Sequence, residues 1–109
     1  MSRWVAATIG GTAVVPGTTI DASFADDGRI TGTAGCNRYS APCTRDGERL
    51  AIGPAVATRM HCGAPEGIME QEAAYFAALE RAAAVRFGAR TLALVDAGGA
   101  ELVSFAEAG

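Results

Sequence analysis

Apolar and polar residues alternate along most of the chain, and the alternation is broken at short intervals by glycine, proline and aspartate. Residues 19–24 are the clearest case. Ile20, Ala22 and Phe24 share one face of an extended segment, and Asp21 and Ser23 share the other. Asp26-Asp27-Gly28 follows, and Asp-Gly between alternating segments signals a tight hairpin. The return strand is predicted over 29–36, with Ile30, Ala34 and Cys36 facing the core and Gly32 interrupting the row. A first strand is predicted over 4–9, with Trp4 anchoring one edge of the core. Residues 12–18 read as a loop around a Pro16-Gly17 turn.

Further strands are predicted over 38–43, 49–52, 55–62, 85–87, 91–95 and 101–105. Pro42 limits the first of these to an edge or a bulge, because proline has no N–H to give to a ladder. In 55–62 the period of two puts Val56, Thr58, Met60 and Cys62 on one face and Ala57, Arg59 and His61 on the other. The period changes only once. From Pro65 to about residue 84, Ile68, Met69, Ala73, Phe76, Leu79 and Ala83 recur at helical spacing. Pro65 suits a first helical turn, and Glu66, Glu70 and Glu72 complement the positive end of the helix dipole.

Strands, one helix, then strands again make an α+β chain. Hairpin-length turns imply a mostly antiparallel sheet of about eight strands. A single helix covers only one face, so the sheet is expected to curl around it as a roll. At 109 residues the chain reads as one domain, 1–109, and its 50% apolar content supports a core. The core should be thin, since only 6% of the residues are aromatic.

The net charge of −3 excludes the clustered cations that displace counterions from nucleic acid. No apolar run reaches the roughly 18 residues of a membrane span. No charged leader followed by an apolar segment opens the chain, which points either to the cytosol or to a leader or further domain outside these residues.

Three cysteines and a single His61 lack the spacing of a zinc site. Cys36 and Cys62 leave three readings open: a disulfide, a reactive pair, or two core thiols. A bond between them would close a loop worth about 3 kcal/mol. Cys43 is then the spare thiol. In the enzymatic reading His61 would be the base for a cysteine nucleophile. His61 and Cys62 are adjacent on a strand, however, so they point to opposite faces, and no third residue orients the ring. The glycine pairs at 10–11 and 98–99 precede no helix and are not phosphate loops. No catalytic, cofactor or metal site is expected.

The order Trp4, then Asp27-Gly28, then Gly35-Cys36-Asn37, then Thr58-x-Met60-x-Cys62 resembles the META domain family, which includes the HslJ-type heat-inducible proteins of bacteria. The resemblance covers nearly the whole chain, including Glu72, Phe76 and Leu79 of the helix. It departs at Ser40-Ala41-Pro42-Cys43, where the family continues with glycine and an aromatic residue. It implies a roll of strands on one helix and a structural role for Trp4, Gly28, Gly35, Cys36, Asn37, Thr58, Met60 and Cys62. It implies little chemistry: a stress- or envelope-associated, non-enzymatic monomer that meets proteins or peptides. The alternative is a small lipid carrier of the pilot-protein kind. Ile68, Met69, Tyr75 and Phe76 occupy more than one stripe of the helix. Either both stripes are core, or one is an apolar groove for a peptide, a lipid tail or a partner protein.

Overall fold

In the computed structural model, which describes residues 3–108, ten strands and one helix follow the chain order. The strands are β1 (Arg3–Ile9), β2 (Thr12–Ala13), β3 (Asp21–Ala25), β4 (Arg29–Thr33), β5 (Arg38–Asp46), β6 (Arg49–Ile52) and β7 (Val56–Ala57). After the helix α1 (Ile68–Arg81) come β8 (Ala84–Gly88), β9 (Thr91–Val95) and β10 (Glu101–Glu107). All pairings are antiparallel, in the order β10-β9-β8-β6-β5-β4-β3-β1-β2. The sheet curls until β1 also meets β10. The weak seam lies between β6 and β8, which share only the pair Arg49↔Ala84. The result is a roll, not a regular barrel.

Pro42 sits inside β5, not at an edge, and the register explains how. Its carbonyl accepts the Gly53 N–H at 2.9 Å, but it has no N–H to return. One bond of the ladder is therefore lost opposite Gly53. At that point the neighbouring chain breaks at Gly53-Pro54 into β6 on one side and β7 on the other.

The strand expected over 55–62 shrinks to Val56–Ala57. β5 begins only at Arg38, so beyond Thr58 no strand lies opposite. Its inward face is also the other one. Ala57 packs on the core, while Val56 is 71% and Met60 57% exposed.

The helix is shorter than its apolar period suggests, 14 residues against an expected 65–84. Gly67 has φ of 87°, a left-handed conformation that no helical turn accommodates, so Pro65 lies before the helix. At the other end Ala82 turns extended. Ala83 then pairs with Val95 and Leu50 and leads directly into β8.

The helix lays Ile68, Glu72, Tyr75, Ala78 and Leu79 on the inner face of the roll. Tyr75 is fully buried and meets Tyr39 of β5 and Phe105 of β10 edge-on, at centroid distances of 5.5 and 6.5 Å. Ile20, Ile30, Leu79, Leu92 and Leu94 fill the rest of the interior. Gly32 lies opposite Tyr39 in the β4–β5 register. A Cβ there would overlap the Asp21 carbonyl oxygen, and only its absence lets the Tyr39 hydroxyl reach that oxygen across β4, at 2.8 Å. The single Tyr39 proton is thus committed to Asp21, so Tyr75 donates to Tyr39, at 2.6 Å. Burial holds both phenols neutral by raising their pKa values.

The order of this relay has a measurable consequence. Tyr75→Phe removes one hydrogen bond and should cost about 1 kcal/mol. Tyr39→Phe leaves the Tyr75 hydroxyl buried without an acceptor and the Asp21 carbonyl without this donor, and should cost about 2 kcal/mol. Urea unfolding of the two variants checks the ranking, and equal losses would refute the assigned direction of donation.

Candidate functional site

β4 ends in a sharp bend in which Gly35 takes φ of 107°. The bend aims two consecutive backbone N–H groups, those of Cys36 and Asn37, at the helix. Both donate to Oε1 of Glu72, at 3.2 and 2.7 Å. The Asn37 amide nitrogen donates to Oε2 of the same carboxylate at 2.7 Å and to the Met60 carbonyl at 3.0 Å. The amide oxygen of Asn37 accepts from the Thr58 hydroxyl at 2.8 Å and from the Met60 N–H at 2.7 Å. The side chain of Asn37 therefore stands in for the missing strand residue opposite Met60, exchanging both hydrogen bonds with it. Asn37 and Glu72 are 3% and 5% exposed, and the clamp consumes their polar atoms.

A disulfide between Cys36 and Cys62 closes the same clamp from the outside, with an S–S distance of 2.03 Å. Gly35, Cys36, Asn37, Thr58, Met60 and Cys62 thus form one unit with Glu72, which ties the β4–β5 bend, the 58–62 segment and the helix together. Trp4 and Gly28 lie outside it. Trp4 is half-buried in β1 against Phe87, at 6.3 Å between ring centroids, and Gly28 takes φ of 81° in the β3–β4 turn.

Chemically the clamp is a lock. Cys36 and Cys62 have no thiol to offer, and His61 is exposed. The remaining thiol, Cys43, is buried, and burial raises its pKa despite the nearby Arg45. A raised thiol pKa means less nucleophilic thiolate.

Outside the lock a groove runs between the 53–61 segment and α1. Its upper part, about 360 Å³, is lined by Ala57, Arg59, Met60, His61, Met69 and Phe76. Its lower part, about 180 Å³, is lined by Pro54, Ala55, Ala57, Phe76, Leu79 and Glu80. Of the four helix residues expected on an apolar groove, Met69 and Phe76 line it. Ile68 and Tyr75 do not, because they belong to the stripe that fills the roll.

Glu72, expected only to complement the helix dipole, is the acceptor on which the clamp closes. The signal was present in the spacing. Ile68, Glu72, Tyr75 and Leu79 follow one another at helical intervals, so a carboxylate stands on the apolar stripe, where it needs buried donors.

The profile of the META domain matches residues 1–109. The chain belongs to the META domain family. No curated protein matches it. Among solved structures, a protein determined by NMR superposes with a TM-score of 0.73 at 24% identity, over 96% of this META domain and 87% of that chain. An NMR structure of a Burkholderia xenovorans protein gives 0.70 at 27% identity, over 98% of this chain and 81% of that one. A crystal structure of a DUF4847 family protein from Bacteroides vulgatus gives 0.59 at 20% identity, over 80% of this chain and 57% of that one. These likenesses extend the roll-on-helix fold to other proteins. Among the described residues of this META domain, no helix is long and apolar enough to cross a membrane.

Proposed function

We propose that this META domain is a non-catalytic binding module that acts through protein or peptide contacts, in the stress-response or envelope setting its family suggests. The observation that carries this reading is where its apolar surface lies. The interior is filled by Tyr75, Phe105, Ile20, Ile30, Leu92 and Leu94, all close to fully buried. Met60 stays exposed on a groove that also contains Met69 and Phe76, while Val56 is exposed on the other face of β7. An exposed apolar side chain at a concave surface that is itself apolar favours an external partner. A lipid carrier would keep its apolar room inside the roll, where these side chains already sit.

Selection of displayed random peptides on the full chain tests the reading, with counter-selection on the Met60→Glu variant. The Met60 side chain is exposed, so the variant should keep its fold, which circular dichroism checks. The expected result is a set of peptides that lose at least about tenfold in affinity on the variant, equivalent to about 1.4 kcal/mol. Peptides that bind both proteins equally, or a selection that enriches none, would overturn it.

A further inference from the structure

The groove has one wall made of backbone, and the register shows which backbone groups face into it. The Thr58 N–H donates to the Arg38 carbonyl at 3.1 Å, so Thr58 and Arg38 form a hydrogen-bonded pair of the β5–β7 ladder. Antiparallel pairs alternate. Ala57↔Tyr39 is therefore a non-hydrogen-bonded pair, and Val56↔Ser40 is hydrogen-bonded again. It follows that the N–H and C=O groups of Ala57 point away from β5, and Arg59 keeps that phase because the next residue, Met60, bonds back to Asn37. Among the described residues no strand pairs with that edge of β7. Ala55, Ala57 and Arg59 line the groove together with Met60 and His61, with Phe76 and Met69 of α1 across from them. A free strand edge facing a helix across an apolar gap has the geometry in which an extended peptide adds as a further strand.

The charges set the polarity of such a peptide. The chain carries a net charge of −3, yet the upper end of the groove presents Arg59 and His61, and the carboxylate that lines it, Glu72, is held by the Cys36 and Asn37 donors. The lower end presents Glu80. Pro54 just before β7 and the disulfide just after the segment keep the usable edge short, which limits it to one short strand.

We infer that the partner of this groove is an extended polypeptide segment that adds to the free edge of β7. The segment is apolar at alternate residues, to reach Phe76 and Met69, and acidic at the end that lies against Arg59 and His61. This inference rests on the binding-module reading and names the class of partner.

The test uses the full chain, isotope-labelled for NMR, and a synthetic peptide that alternates valine with serine and carries glutamates at one end. Two further versions of the peptide are N-methylated on alternate residues, one set in each phase. Strand addition predicts slower hydrogen exchange at the Ala57 and Arg59 amides, by at least about tenfold. It also predicts that one methylated set loses binding by at least about tenfold while the other stays within about twofold. Arg59→Glu should weaken the acidic peptide about fivefold and improve a version ending in lysines. Binding without amide protection, or an equal loss for both methylated sets, would overturn the strand mode and leave the binding-module reading standing. Absence of any shift at 53–61 would also overturn it, and the display selection then judges the module reading by itself.

Discussion

Glu72→Ala should destabilise the domain by about 4 kcal/mol. Three donors converge on this carboxylate: the Cys36 and Asn37 N–H groups and the Asn37 amide. Hydrogen bonds to a charged acceptor contribute about 1.5–3 kcal/mol each, and a donor left buried without a partner costs about 1–3 kcal/mol. These terms share one site and do not add in full, so about 4 kcal/mol stands below their sum. Glu72→Gln makes the argument sharper. Its amide oxygen can still accept from the two backbone N–H groups, but its nitrogen then faces the Asn37 nitrogen, donor against donor. Asn37 has no freedom to flip, because its oxygen is committed to Thr58 and Met60. The conservative change should therefore still cost about 2 kcal/mol. Urea unfolding with the disulfide intact measures both. A loss under about 1 kcal/mol for the alanine variant would show that the carboxylate does not hold the bend.

The size of that effect also marks where sequence reading stops. The hairpins were legible because each rests on local chemistry: alternation in 19–24, Asp-Gly at 27–28, and glycine-bearing turns after β5, β8 and β9. The roll followed from strands outnumbering a single helix. The errors fall where the deciding partner is distant in the chain. Pro42 is tolerated in β5 because Gly53 lies opposite it, and no local rule reveals that pairing. The strand over 55–62 was cut short because its partner beyond Thr58 is a side chain, Asn37, not a backbone. The helix start moved because Gly67 adopts φ of 87°, which composition permits but does not announce.

The clamp was half legible. Gly35, Cys36, Asn37, Thr58, Met60 and Cys62 stood out by motif, and the structure brings them together. Glu72, the acceptor for Asn37 and Cys36, lies 35 and 36 positions from them, and only the fold shows that it anchors the bend. The groove was legible in its composition and not in its facing. Apolar residues on two helix stripes were evident, but which stripe the roll would cover depends on Tyr75 meeting Tyr39 and Phe105. The free edge of β7 had no sequence signal, because it depends on which residues of β5 lie opposite.

The second large effect concerns the disulfide and separates two ways of holding the 58–62 segment. Cys36 and Cys62 are 26 positions apart, and releasing a loop of that size should cost about 3 kcal/mol on chain-entropy grounds. For a domain near this length that corresponds to a fall in Tm of about 12 °C. The Cys36→Ser/Cys62→Ser variant should show this fall. The unaltered chain should show the same fall when a dithiol reductant is added, and the variant should then be indifferent to reductant. The native fold should survive, because Asn37 still exchanges two hydrogen bonds with Met60 and accepts from Thr58. Combining the variant with Asn37→Ala should therefore cost more than the two changes add up to, since each restraint shortens the path the other must close. A fall of less than about 3 °C would mean that the amide of Asn37 already confines the segment without the covalent link. The edge of β7 would then be held open by hydrogen bonds alone, and its readiness to accept a strand would not depend on the redox state of its surroundings.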